Sequence, residues 1–377
     1  MKNSLVQQLD SALEKLCLQG VSEGVFPGVA AGIAWREKSG RWQRVVRTAG
    51  RTRTEGGKGP PVTRDTLFDL ASLTKPLATA LIIVALADEG RLSTDDRLAL
   101  FFGLEDESWH NIDLDMLLTH SSGLAPYNHY YREFSPGIDP AAGEAIVRRI
   151  LTGPLLYEPG TECRYSDLGF ILLGRVIEQV TGMDLNECFR KYVSARTGLE
   201  DEIFYLPLGV PGQQARGRNM AATENCPWRG RVLQGEVHDE HCWLMGGVSG
   251  HAGLFGTVDA VLTLCAHILD RWQGRGEQPA GDTLQLALRK KYGDRTWCRG
   301  FDTPSPEGSS GGSLLSADSV GHLGYTGTSF WIDPEKEVII VLLSNRVHPT
   351  RENILIRRFR PRFHDVLLQT LGGSMGK

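Results

Sequence analysis

Residues 67–79 read LFDLASLTKPLAT, and the fold turns on how that stretch is read. Ser72 and Lys75 stand one helical turn apart where an apolar run begins. The run continues as LATALIIVALA (77–87) and stops at Gly90, a helix-ending glycine. A hydroxyl at that opening turn lies near free N–H groups and the positive end of the helix. A lysine on the same face of a low-dielectric cleft can lose its proton and accept one from the serine. On spacing alone, the pair reads rather as a capping serine beside a solvated lysine.

The flanking sequence supplies the frame. The chain has 377 residues, too many for one simple core, which predicts two lobes. An amphipathic N-terminal helix precedes GVAAGIAWREKSGRWQRVVRTAGR (28–51), which reads as a hairpin. From there to about residue 200 the periodicity is helical, as in AAGEAIVRRIL, DLGFILLGRVIEQVTG and DLNECFRKYVSARTGL, with Asp167 read as a helix cap. A second hairpin surrounds Pro334-Glu335-Lys336, and a last helix is predicted to start at Pro361. Strands near both ends and helices between them predict an α+β fold. One antiparallel sheet is flanked by the terminal helices, and an all-helical lobe is inserted. The expected boundaries are 1–75 with 230–377 for the sheet domain and 76–229 for the helical domain. Ser72 then lies at the lobe boundary, where clefts form.

Composition excludes several classes. Net charge is −4, with 41 basic and 45 acidic residues, so nothing attracts nucleic acid or an anionic membrane. The run 77–87 is far short of the roughly 20 residues that span a bilayer. Seven cysteines without a C-x-x-C pair predict buried thiols in a reducing compartment. No secretory apolar region is seen at the N-terminus, so a cytoplasmic location is expected.

Two distant stretches bear on Ser72. PGTECRYSDLGF (159–170) places Tyr165-Ser166-Asp167 before a helix, and GHLGYTGTSFWID (321–333) leads into an apolar strand. Together with TLFDLASLTK (66–75), LLTHSSGL (117–124) and GGVSGHAGLFGT (246–257), they resemble the serine beta-lactamase and penicillin-binding protein superfamily. The similarity is to its class C-type branch of esterases, D-amino-acid peptidases and amidases, and it spans about 27–351. The resemblance implies a beta-lactamase/transpeptidase-like fold and a Ser72 nucleophile. Lys75 and Tyr165 share the base role, and the backbone N–H groups of Ser72 and Tyr325 form the oxyanion hole. It further places Asp167, His322, Gly324, Thr326 and His251 against substrate. No metal or organic cofactor is implied, and the partner is a small molecule or short peptide.

Two departures from the family pattern bear on substrate. His322 stands where a lysine is usual, and with an ordinary pKa of about 6.5 it is mostly neutral. Asp167 stands where asparagine is usual and, ionised, only accepts hydrogen bonds. Both argue against efficient beta-lactamase activity and leave amide, peptide or ester hydrolysis, including that of cell-wall fragments. One alternative is a penicillin-binding module that stays acylated. Another is a metal hydrolase built on His238, His241 and Asp239 in HDEHC (238–242), although that spacing matches no zinc motif. Gly308-Ser309-Ser310-Gly311-Gly312 matches G-x-S-x-G but sits in SPEGSSGGSLLSADS (305–319), read as a flexible loop. The arginines of IRRFRPR (356–362) read as a solvated face.

Overall fold

The computed structural model describes residues 2–54, 59–104, 106–137, 141–209, 217–275, 282–291, 293 and 295–375. Helix α1 (Lys2–Ser22) leads into β1 (Gly28–Arg36) and β2 (Trp42–Gly50). After β3 (Phe68–Asp69) come the helices α2 (Leu81–Asp88), α3 (Leu114–Leu118), α4 (Ala142–Leu151), α5 (Asp167–Thr181), α6 (Leu185–Phe189) and α7 (Ala195–Thr197). Short strands β4 (Ile203–Tyr205), β5 (Asn225–Cys226) and β6 (Arg231–Val232) precede α8 (Glu240–Leu244), β7 (Leu254–Gly256), α9 (Val258–Trp272) and α10 (Asp282–Ala287). Strands β8 (Val320–Leu323), β9 (Ser329–Asp333) and β10 (Val338–Ser344) and helix α11 (Ile356–Met375) complete the chain.

The main sheet has the order β2-β1-β10-β9-β8. Its pairs are antiparallel, and β1 meets β10 from Val29↔Ser344 to Trp35↔Val338. Period-2 alternation explains the two layers that cover it. Val29, Ala31 and Ile33 of β1 and Val338, Ile340 and Leu342 of β10 pack with Leu9 and Leu13 of α1 and Phe363 and Leu367 of α11. Ala30, Ala34, Ile339, Val341 and Leu343 face the other way, into a core shared with α9 and the helices that follow residue 75. Each residue of β10 is buried, as a central strand requires. A small sheet, β3-β7-β4, ties the two halves together directly behind Ser72.

Several expectations are corrected in detail. Among the described residues, one stretch, Ala71–Asp88, is long and apolar enough to cross a membrane, but 83% of it is buried inside the molecule. Its first turns are not α-helical. A 3₁₀ turn (Ala71–Leu73) passes into a π-helical turn (Lys75–Ala80) before α2 begins. Pro76, which has no N–H to donate, sits in that widened turn, and such turns concentrate at functional sites. Helix α11 starts at Ile356 and carries Pro361 inside it, so the arginine-rich segment is helical. Arg357, Arg358 and Arg362 are exposed, as a solvated face requires, whereas Ile356, Phe359 and Arg360 are buried on the other side of the helix. The 305–319 stretch is held rather than loose. The N–H and hydroxyl of Ser316 donate to the buried Asp333 carboxylate at 2.9 and 3.0 Å, and Ser313 N–H donates to Asp365 of α11 at 2.7 Å.

Candidate active site

Ser72 lies on the tight turn that leaves β3. Ala71 before it has φ = 49°, a left-handed value that a β-carbon disfavours and that only surrounding contacts hold. Those contacts converge on Asp69. Its carboxylate accepts from Ala71 N–H at 2.8 Å and from His238 N–H at 2.7 Å. Two hydroxyls from the turn after β8 reach the same segment. Thr326 donates to the Asp69 carbonyl at 2.7 Å and Thr328 to the Leu70 carbonyl at 3.1 Å. Gly324 lies so close that a β-carbon there would stand 2.7 Å from the Leu70 carbonyl and 1.9 Å from Thr328 Oγ1. Glycine is therefore required for the approach.

Lys75 is completely buried. Its Nζ donates to Ser72 Oγ at 3.0 Å, to Asp167 Oδ1 at 2.6 Å and to the His251 carbonyl at 3.1 Å, which commits all three ammonium protons. The Tyr165 ring lies beside Lys75, with Nζ 5.0 Å from the ring centroid, and both Lys75 and Ser72 act on its phenol. Burial pushes the Lys75 pKa down, but Asp167 and Tyr165 outweigh it and the net direction is up. Burial pushes the Tyr165 phenol up to about 12 against the pull of Lys75. The resting site thus holds an ammonium and a neutral phenol, where the sequence predicts a lysine ready to accept a proton. The cause is Asp167. It is the first residue of α5 rather than its cap, a place taken by Ser166, and its carboxylate turns to Lys75.

The Tyr165-Ser166-Asp167 turn is fixed from the helical side. Ser166 N–H donates to His120 Nδ1 at 3.1 Å, and Ser166 Oγ donates to the Ala125 carbonyl at 2.6 Å. The His120 ring packs on Tyr165 with centroids 4.6 Å apart. The THSSG segment carried this signal, although its histidine had no role assigned. Trp297 completes the cluster, 5.2 Å from Tyr165 and 5.6 Å from His322.

His322 is buried on β8. Its Nδ1 lies 2.8 Å from the Leu323 carbonyl, an acceptor, so Nδ1 carries the proton and Nε2 is a bare acceptor. Burial, then the charge of Lys75, pushes its pKa down to about 3. His322 therefore carries no charge at neutral pH. Burial likewise holds His364 down at about 3 and His120 well below its ordinary value. All three folded values are depressed, so each contributes stability above the unfolded value of about 6.5 and loses it as pH falls toward 3. The melting temperature is expected to fall steadily between pH 6.5 and 4 in calorimetry. His364→Leu should flatten that slope, and an unchanged slope would take His364 out of the account.

Ser72, Tyr165, Asp167, His251, His322, Gly324 and Tyr325 all border one cavity of about 670 Å³. Among the hydrogen bonds of the described residues, neither Ser72 N–H nor Tyr325 N–H has an acceptor. Thr326 is not at the cavity wall; its hydroxyl is spent on Asp69. The His251 ring is buried and held by Ser249 Oγ at 2.9 Å and Asp239 at 2.8 Å, so it is the carbonyl that works on Lys75. The proposed metal ligands have separate partners. His238 Nε2 is 3.1 Å from Glu224, His241 Nε2 accepts from Tyr131 N–H at 3.3 Å, and Asp239 caps α8. Among the described residues, no three such side chains converge to hold an ion. The 308–312 serine turn packs beside Asp365, away from the cavity. A second hollow, of about 790 Å³, is lined by Glu144, Arg148, Thr152 and Arg175 and shares no residue with the Ser72 cavity.

A family model described as Beta-lactamase matches residues 10–361. An Escherichia coli K12 protein named "Putative D-alanyl-D-alanine carboxypeptidase" is 31% identical over 312 residues, covering 76% of this chain and 70% of that protein. Among solved structures, EstCE1, a hydrolase with promiscuous acyltransferase activity, superposes with a TM-score of 0.74 at 22% identity, over 96% of this chain and 99% of that one. The octameric penicillin-binding protein homologue from Pyrococcus abyssi gives 0.71 at 20% identity, over 97% and 77%.

Proposed function

The chain belongs to the beta-lactamase family and is a serine hydrolase of that fold, and from this premise we propose that it cleaves a short peptide, amide or ester through an acyl-enzyme on Ser72. The observation that carries the reading is the Ser72–Lys75–Tyr165 cluster at the wall of the 670 Å³ cavity, with Ser72 Oγ and Lys75 Nζ 3.0 Å apart. The carboxypeptidase name of the 31% identical relative supports a short D-peptide, of the kind released from cell walls, as the substrate class. The neutral His322 speaks against efficient capture of beta-lactams by that position. Six cysteines that are buried thiols without disulfides support a cytoplasmic location.

In this reading Ser72 Oγ attacks the substrate carbonyl and the Ser72 and Tyr325 N–H groups hold the oxyanion. Because Lys75 rests as an ammonium, the base must be made. Asp167, 2.6 Å from Nζ, takes one proton as substrate displaces water, since drying the site disfavours the ion pair. The freed amine takes the Ser72 proton, and the Tyr165 hydroxyl relays a proton to the leaving group, whose bond to the acyl carbon breaks. Water then attacks the acyl-enzyme by the same relay and releases the acid.

The test is a screen of nitrophenyl esters, D-alanyl peptides, muropeptides and a chromogenic cephalosporin, with intact-mass detection of the acyl-enzyme and peptide mapping of the adduct. Turnover with transient mass on Ser72 is expected. A permanent penicillin adduct with no turnover of any ester would make the protein a binding module. Turnover lost to a chelator, with no adduct, would favour the metal reading.

The Lys75–Asp167 pair makes a separate prediction. Asp167→Asn removes the largest influence that raises the lysine pKa, so burial then pulls it down. The acid limb of kcat/KM is expected to move to lower pH by about one unit or more. An unmoved limb would show that Lys75 does not supply the base.

A further inference from the structure

His238, between β6 and α8, touches both turns that carry an oxyanion donor. Its backbone N–H donates to Asp69 Oδ2 at 2.7 Å, and Asp69 Oδ1 accepts from Ala71 N–H at 2.8 Å, one residue before Ser72. Its imidazole stacks on the Tyr325 ring, with centroids 5.8 Å apart and planes 23° from parallel. The Tyr325 side chain is half exposed, so core packing does not fix it and its ring contacts must. The imidazole is itself locked. Its Nε2 lies 3.1 Å from Glu224 Oε2. Burial pushes the Glu224 pKa up, but His238 and Arg351 outweigh it and hold it at about 2, so the carboxylate accepts and Nε2 carries the proton. Arg351 Nε donates to both Glu224 oxygens, at 2.7 and 2.9 Å, and its Nη2 reaches Glu240 of α8 at 2.7 Å. His238, Glu224 and Glu240 are all buried. A satisfied network of this kind, out of water, stiffens what it holds.

We propose that His238 is a positioning residue for acyl transfer, its backbone orienting the Ser72 N–H through Asp69 and its ring, locked by Glu224, orienting the Tyr325 N–H. The two donors follow β3 and β8, which belong to different sheets, so strand pairing does not set the distance between them. The hydroxyls of Thr326 and Thr328 join the two turns on one side and His238 joins them on another. Oxyanion donors work by being aimed in advance, and a donor that must be turned during the reaction stabilises the charge less. His238 touches no reacting atom in this scheme; it acts through the residues it holds. The inference rests on the hydrolase reading above.

The experiment compares a nitrophenyl ester with its thionoester, in which sulfur replaces the carbonyl oxygen and draws less on hydrogen-bond donors. The ester-to-thionoester ratio of kcat/KM is read within each protein, so the fraction that is folded cancels. His238→Ala removes the ring but keeps the N–H to Asp69, and Glu224 keeps Arg351. It should lower kcat for the ester by about 10-fold at near-constant KM and lower the ratio by a similar factor. His238→Phe, which retains a ring able to stack, should keep most of the ratio. Tyr325→Ala removes the other ring of the pair and carries the test if His238→Ala does not fold. It should reproduce the fall, and the two losses should not add in the double variant. A ratio unmoved in His238→Ala and Tyr325→Ala would overturn the inference. So would a fall in His238→Phe as deep as in His238→Ala, or a raised KM at constant kcat, which would make His238 a substrate contact. Ester turnover with an unmoved ratio sinks only this inference. Absence of ester turnover and of any Ser72 adduct sinks the hydrolase reading itself and the role of His238 with it.

Discussion

Ser72→Ala is expected to abolish turnover, by on the order of 10⁴-fold or more, and to leave no acylated protein in intact-mass spectra. Alanine keeps the backbone N–H and the 3₁₀ turn, because the Ala71 conformation is held by Asp69, not by the serine hydroxyl. The hydroxyl's hydrogen bond is with Lys75, which keeps Asp167 and the His251 carbonyl as partners once the hydroxyl is gone. Thermal stability should accordingly stay near that of the wild type. Residual turnover within about 100-fold of wild type, or an adduct on another residue, would move the nucleophile elsewhere.

Lys75→Met is expected to lower kcat by on the order of 100-fold or more, with Tyr165→Phe costing a similar factor. The two differ in stability. Without the ammonium, the Asp167 carboxylate faces an apolar side chain. Breaking a buried pair typically costs about 3–5 kcal/mol. Asp167 keeps 18% of its side chain exposed to the cavity, so the lower part of that range, or less, is expected. The double variant Lys75→Met/Asp167→Asn should regain stability and stay inactive. Recovery of activity in the double variant would show that the lysine serves only as a counter-ion. Kinetics together with calorimetry on the four proteins settles the matter, because a purely structural lysine would lose both properties together.

Much of this architecture is legible in the sequence because its signals are local. Apolar alternation marks β1 and β10, helical periodicity marks α4, α5 and α9, and S-x-x-K marks the turn that holds Ser72. What the sequence hid are effects between distant segments. The charge state of Lys75 depends on a carboxylate 92 positions away, and neither residue announces the other. His120 reads as one histidine in a polar turn until the fold lays it on Tyr165. The arginines of IRRFRPR resemble an ordinary wet helix face, since charge density alone does not tell which side α11 turns to the sheet. Thr326 was misplaced for the opposite reason. Its slot in the family pattern points to substrate, whereas its hydroxyl staples the turn to Asp69.

The strand order has a consequence for how such a protein is born. β10, near the C-terminal end, is threaded between β1 and β9, so the first hairpin waits for its inner neighbour until residue 344 has been synthesised. Until then the serine turn lacks the Thr326 and Thr328 anchors, and the arginines of α11 arrive later still. A nascent chain on the ribosome therefore carries Ser72 long before the cavity around it is complete. Hydrolysis begins only once β10 and α11 have been made.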